Sequence, residues 1–362
     1  MFVQETQARH TSVHVHHPSR RAPGREALMA TIYEVAKLAG VSPATVSRVF
    51  NGAAVSEEKA QAVREAAGKL RFTPNRAART LRKQSTEVIA LIIPDIENPY
   101  FTEMARGVED VAQEVGYSVV LCNSDARTEK ENSYLRIAMA GSMAGVIIAA
   151  ASDHTDLDDV LADGRPVVAV DRRSGYDVDT VVMDNRTAGR LATEALLDAG
   201  YRRIACMTGP DNVETAVERA KGWRDAMTAR ADVDLTGLLL HSSFRVAGGR
   251  EAVAQLLDSP PLRPDAVVAA NNLLGVGALQ VLTERGLTPP DIGVAVVGSL
   301  PFTTLTPDVV TVVRLPARHM GVTAARLLLE RIEGNSDPAR TVVLRGELRR
   351  ARLGRDATEM AS

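Results

Sequence analysis

Two sets of residues in this chain have the types and spacing to do chemistry. The first is Ser42-Pro43-Ala44-Thr45-Val46-Ser47-Arg48-Val49-Phe50-Asn51. On a helix this run buries Val46, Val49 and Phe50 and turns Ala44, Thr45, Ser47 and Arg48 outward. Short polar side chains and one guanidinium on an exposed helix face can reach base edges in a major groove. The second set stands at the ends of apolar runs: Asp95 with Asn98-Pro99-Tyr100-Phe101, Asn123-Ser124-Asp125, Asp171-Arg172-Arg173, Asp184-Asn185, Gly209-Pro210 and Asn271-Asn272. Where such runs are parallel strands, ligands bind beyond their carboxyl ends. A cluster of His10, His14, His16 and His17 has metal-like spacing. No carboxylate or thiol stands beside it, so no metal is expected. Residues 1–30 read instead as a disordered tail or as a start placed ahead of Met29.

No G-x-S-x-G, P-loop or H-E-x-x-H occurs, and His154, His241 and His319 have no clear partner. The chain is therefore not expected to be an enzyme, and no cofactor is expected.

The elements that must position these residues are legible in outline. Thr31 and Glu34 form a capping box that opens a helix from Ile32 to Ala39, with Ile32, Val35, Ala36 and Leu38-Ala39 on its apolar side. Gly40 permits a sharp turn, Val41 secures it in the core, Ser42 caps the next helix, and Pro43 suits its first position. Ser56 is expected to cap a third helix, from about Glu57 to Leu70. Two short helices joined by a G-V-S-P turn read as helix-turn-helix. Beyond them, Pro74 and Asn75 start a short segment in which Ala77, Ala78 and Leu81 lie among Arg76, Arg79 and Arg82. A helix so short is unstable alone, but on DNA it could push Leu81 between base steps of the minor groove. Charge agrees with this division. Ten lysines and arginines face four glutamates between Thr31 and Gln84, while the whole chain carries a net charge of -2. A basic head on an acidic body implies a polyanionic partner for the head alone.

From Glu87 onward, apolar strands alternate with amphipathic helices. Strands are expected at 88–93, 118–122, 145–149, 166–170, 180–183, 204–208, 266–269 and 293–297, with helices such as 101–115, 188–199 and 214–229 between them. That alternation implies parallel sheets covered by helices on both faces. Cys122 and Cys206 fall in strand-like stretches and read as small core residues. No apolar run approaches the roughly 18–20 residues that cross a bilayer, and no secretory h-region opens the chain. A cytoplasmic protein is expected.

T-I-Y-E-V-A-K-L-A-G-V-S-P-A-T-V-S-R-V-F-N-G, followed by F-T-P-N-R-A-A-R-T-L, resembles the DNA-binding head and hinge of the lac-repressor (LacI/GalR) family. P-D-I-E-N-P-Y-F, M-D-N-R-T-A-G-R-L-A-T, E-R-A-K-G-W and T-P-D-V-V-T-V-V-R resemble its effector domain. The resemblance implies an all-α helix-turn-helix head (31–72), a hinge (73–85) and an α/β periplasmic-binding-protein-like body (86–355) ahead of a tail (356–362). The body would be two doubly wound parallel-sheet lobes, lobe one from 86–170 and 304–335, lobe two from 171–303 and 340–355. Crossovers are expected near Asp171, near Ser299–Thr303 and near Asp337–Arg340. By the same resemblance Pro43, Ala44, Ser47 and Arg48 face the groove, and Thr31, Ser42, Thr45 and Asn51 meet the DNA backbone. Asn75, Arg76 and Ala78 belong to the hinge contacts, with Leu81 as the wedge. Effector contacts carried over are Asn98, Tyr100 or Phe101, Asp171, Arg190, Arg219, Trp223 and Asn272, although Trp223 could equally fill lobe two.

The chain departs from the family where Asn271-Asn272 replaces Asn-Asp and where Gly298-Ser299-Leu300-Pro301 replaces Gly-Phe-Asp-Asp. A carboxylate accepts two hydroxyl hydrogen bonds at once, an amide fewer. Losing these acids leaves Arg190 and Arg219 less neutralised, which points to a sugar acid, a phosphosugar or another anion beside the family's neutral sugar. The resemblance implies a transcription regulator, most simply a repressor, that binds operator DNA as a homodimer under control of that small molecule. A solute-binding protein is the alternative, disfavoured by the basic head. Without a leucine-heptad tail after Arg355, a dimer is expected rather than a tetramer.

Overall fold

The computed structural model describes residues 30–50, 54–72, 86–152, 155–230, 234–259, 263–287, 289–300 and 309–352. The chain divides into two compact units, one ending at Arg82 and the other beginning at Lys83.

The first unit contains α1 (Ile32–Ala39), α2 (Pro43–Phe50) and α3 (Glu57–Lys69). The capping box forms: Thr31 N donates to Glu34 Oε2 at 2.6 Å, and Glu34 N donates to Thr31 Oγ1 at 3.4 Å. Gly40 ends α1 at φ +65°, a conformation an L side chain resists. Ser42 Oγ accepts from Thr45 N at 3.2 Å and so caps α2. Ser56 precedes α3 but makes no side-chain cap, contrary to expectation. Val35, Ala36, Val46, Val63, Ala66 and Ala67 form the core, closed by Phe50 and Phe72 with ring centroids 5.8 Å apart. Leu38, placed by its spacing on the apolar side, is 51% exposed, because a helix of eight residues offers the core only one narrow stripe.

The second unit holds two six-stranded sheets. Sheet one runs β11 (Thr341–Leu344), β5 (Asp179–Met183), β4 (Val167–Val170), β3 (Gly145–Ile148), β1 (Val88–Ile93), β2 (Ser118–Asn123), all parallel. Sheet two runs β12 (Glu347–Arg349), β10 (Thr311–Arg314), β9 (Gly293–Val297), β8 (Ala266–Ala269), β6 (Ile204–Thr208), β7 (Leu239–His241), parallel except for β12. Most of the inner strands are buried at every residue, as helix-covered parallel strands must be. Sheet one carries α4 (Pro99–Glu114), α5 (Thr128–Ala140), α6 (Asp158–Ala162) and α11 (Ala317–Ile332). Sheet two carries α7 (Asn185–Asp198), α8 (Glu214–Thr228), α9 (Val246–Asp258) and α10 (Asn272–Glu284).

The chain crosses between lobes at Asp184, at Leu315-Pro316 and at Arg345-Gly346, each later than expected. The strand after Asp171 pairs with β4, Ala169 opposite Thr180, and so stays in lobe one. The T-V-V-R run pairs with β9 and belongs to lobe two, not to lobe one as expected. Thr341–Leu344 pairs with β5 and returns to lobe one. An apolar run announces a strand but not the sheet it joins. Among the described residues no helix is long and apolar enough to cross a membrane.

Candidate functional site

A cavity of about 200 Å³ lies between the lobes at the carboxyl ends of the strands. Helix starts and strand ends bring polar groups to it. Asn98 caps α4: its Oδ1 accepts from Tyr100 N at 3.0 Å, and it accepts again, at 3.0 Å, from Nδ2 of Asn272 on the opposite lobe. Asn271 caps α10, accepting from Leu274 N at 2.7 Å and donating to Phe244 O at 3.2 Å. Its side chain is thus spent on local structure, and Asn272 is the amide that faces across.

Asp171 follows β4 at φ +65°, a left-handed conformation that Asp tolerates better than most residues. It is buried, and its Oδ2 lies 3.5 Å from Arg172 Nε. Arg172 donates to Ala150 O at 2.8 Å, while its buried Nε finds no hydrogen-bond partner. Beneath them Glu131 accepts from Ala151 N at 2.7 Å and Thr155 Oγ1 at 2.6 Å, which fixes the floor; burial raises its pKa. Arg219, on α8, donates Nε to Asn185 Oδ1 at 2.8 Å and Nη1 to Ala270 O at 2.7 Å. Burial lowers its pKa, but a guanidinium remains charged at any physiological pH. The geometry depends on Gly189, where a Cβ would come within 2.1 Å of Arg219 O, so only glycine lets α7 and α8 approach this closely. Tyr100 donates to Met320 Sδ at 3.3 Å, and its ring meets Phe101 edge-on at 5.1 Å. Burial, then the nearby Asp171 charge, pushes its phenol well above the ordinary value, so it is a hydroxyl donor.

Of the residues expected to meet an effector, Asn98, Tyr100, Phe101, Asp171, Arg219 and Asn272 line this cavity. Trp223 and Arg190 do not. Trp223 is wholly buried, and its Nε1 donates to the carbonyl of Ile204, the first residue of β6 and hence the end away from the cavity. Thr215, Arg219 and Trp223 form one helical stripe, but the tryptophan lies a turn too deep. Arg190 is half-buried and paired with Glu194 at 2.8 Å. Residues that sequence reasoning did not select as contacts include Phe244, Thr215 and Ser243. Phe244 lies over Gly209, where a Cβ would come within 2.3 Å of its ring. Its signal was hidden because β7, which precedes it, is only three residues long.

In the head unit, Ala44 and Arg48 are exposed on α2, with Pro43, Thr45 and Ser47 half-buried beside them. Thr31 and Ser42, expected at the DNA backbone, are also engaged locally as caps. Asn51, Asn75, Arg76, Ala78 and Leu81 lie outside the described residues. Among the described residues no group of three or more His, Cys, Asp or Glu could hold a metal ion.

Two family models match the chain. Residues 31–75 match bacterial regulatory proteins of the lacI family, and 86–349 match the periplasmic binding proteins and sugar binding domain of the LacI family. The ribose operon repressor of Halalkalibacterium halodurans is 34% identical over 311 residues, covering 84% of this chain and 91% of that protein. A transcriptional regulator, CelR, solved as its cellobiose complex, is 32% identical with a TM-score of 0.66, covering 90% of this chain and 100% of that one. A regulator from Enterococcus faecium, solved with bound ribose, is 27% identical with a TM-score of 0.65, covering 74% and 99%.

Proposed function

The chain belongs to the LacI family of bacterial regulatory proteins, and from that premise we propose that it is a repressor whose effector is a neutral, monosaccharide-sized polyol held between its lobes. The observation that carries the reading is the composition of the cavity. The rings of Phe101 and Phe244 supply apolar faces, while Asn98, Asp171, Arg219 and Asn272 supply donors and acceptors around them. A pyranose or furanose has that same division, apolar C–H faces and a polar rim. A volume of about 200 Å³ suits one sugar ring better than two.

The loss of family carboxylates suggested an anion, but the charges here balance. Asp95, Asp125 and Asp171 line the cavity together with Arg172, Arg219 and Arg245. An anion would also stand beside the buried Asp171 carboxylate, which is costly at low dielectric. Arg190, the second arginine of the anion argument, lines no part of it.

The head would hold operator DNA in the cytoplasm, two chains meeting two half-sites. Exposed Val115, Val120 and Leu121, at and beside the edge strand β2, support pairing of the bodies. Ligand binding would couple to the operator by about 1–3 kcal/mol, or 5- to 150-fold in affinity.

Calorimetry of the full chain with D-ribose, D-glucose, cellobiose, D-gluconate and ribose 5-phosphate tests the effector class. Saturable heat from a neutral monosaccharide alone supports it; heat from the acids alone overturns it. Selection of bound sequences from a random DNA pool, with and without the binding sugar, tests the regulator. A palindrome whose recovery changes with sugar is the expected result.

A further inference from the structure

Among the described residues, polar contacts span the cavity between the lobes at three places, and each is made by a lining residue or by its neighbour in sequence. Asn98 and Asn272 meet in the middle. On one flank Glu97, beside Asn98, faces Arg245, beside Phe244, at 3.8 Å, with both side chains largely in solvent. On another flank Arg173 forms a two-point contact with Glu214. Its backbone N–H donates to Glu214 Oε2 at 3.0 Å, and its guanidinium reaches Oε1. Arg173 belongs to the loop between β4 and β5 of lobe one; Glu214 is the first residue of α8 in lobe two.

We propose that Arg173 and Glu214 are a latch that holds the lobes together before any effector is bound. Rigid separation of the two sheets must break both of its hydrogen bonds. The latch is rooted in the cavity on both sides, since Asp171 and Arg172 precede Arg173 and Thr215 follows Glu214. Its carboxylate also sits at the positive end of the α8 dipole, with no side-chain cap competing for that position. The Glu214 side chain is only 27% exposed against 58% for Arg173, so the acid is the fixed half and the arginine the moving one. A pair this exposed changes an equilibrium by a few-fold rather than by orders of magnitude. That size suits a latch that a small ligand must be able to reinforce or release.

The proposal rests on the cleft being the effector site, but its test needs no effector. Nitroxide labels on Ala162→Cys in lobe one and Glu251→Cys in lobe two, both at exposed helix positions, report the lobe separation of the full chain. Labelled chain is diluted into unlabelled chain so that only distances within one molecule are read, and the buried native thiols are controlled for by a labelling blank. The latch predicts one short distance in the effector-free protein. Arg173→Gln and Glu214→Ala should each raise the population at a longer distance two- to fivefold. Wild type in 1 M salt, where the Debye length is about 3 Å, should move the same way. Superimposable distributions for wild type and Arg173→Gln would overturn the latch, as would a wild type already as broad as the variants. Arg173→Gln alters an exposed side chain and keeps its backbone donor, so it carries the test if Glu214→Ala melts early. Failure of every sugar in calorimetry would instead remove the effector reading and leave these distances standing.

Discussion

Trp223 and Phe244 exchange the roles that their types suggest. The only tryptophan in the chain fills lobe two with its N–H satisfied by a β6 carbonyl, while a phenylalanine in a loop faces the cavity. Substitutions should separate the two. Trp223→Ala is expected to cost the body about 3–5 kcal/mol, seen as a lowered denaturant midpoint. Phe244→Ala should leave that midpoint within about 1 kcal/mol and weaken sugar binding roughly tenfold by calorimetry. A sugar affinity that falls only with Trp223 would reverse the assignment. Much of the cavity was legible at this scale because a residue directly after a parallel strand has nowhere else to go. Asn98, Asp171 and Asn272 were found that way. A helix position gives no such guarantee: Arg219 and Trp223 share a stripe, and only their depth along it separates contact from core. Nor did the sequence say that the Asn271 side chain would be consumed as a cap.

At the scale of elements, a buried carboxylate ties the end of α11 to sheet one. Asp179, at the start of β5 with its side chain out of solvent, accepts from Arg331 Nε at 2.8 Å and Nη2 at 3.1 Å, and from the backbone N–H of Arg340 at 2.7 Å. Burial alone would raise its pKa; the hydrogen bonds from Arg331 and Arg340 outweigh burial and hold it below 3.8. A carboxyl depressed on folding adds stability that is complete above its unfolded value and is lost as pH falls through the folded one. Wild type should therefore lose this share of stability only below about pH 4. Asp179→Asn should be less stable at pH 7 by about 1–3 kcal/mol, with a smaller decline through the acid range in denaturant titrations. The edge strand β2 makes a different demand. Val120 and Leu121 are 40% and 37% exposed on it, and an uncovered apolar edge invites pairing. If the bodies pair there as proposed, replacing both with lysine should leave a monomer in sedimentation where the unaltered chain gives a dimer, without loss of helix content by circular dichroism. Strand existence was legible for the long runs. The lobe crossings were not, because the choice between two neighbouring sheets is made by pairing partners far apart in sequence, as with Val181 and Val342, 161 residues apart.

For the whole molecule, charge and covalent order matter more than any one contact. The basic residues are concentrated in the head and hinge, and the rest of the chain is acidic. If six to ten phosphates are neutralised, operator affinity should fall roughly 10³- to 10⁵-fold between 50 and 200 mM salt. Filter binding across that range measures it, and a flat profile would exclude a phosphate-dominated grip. Synthesis gives the lobe crossings a second meaning. The helices α1, α2 and α3 are complete once Phe72 has been made, but sheet one waits for Leu344 and sheet two for Arg349. Between those points the ribosome adds roughly 280 residues, about 15–55 s at common elongation rates. Over that interval the nascent chain carries a finished DNA-binding unit but neither finished lobe, and so no means of sensing sugar. A chain broken off anywhere in the body would keep its basic head and lose the cleft that controls it, which makes release of truncated products a hazard particular to this topology.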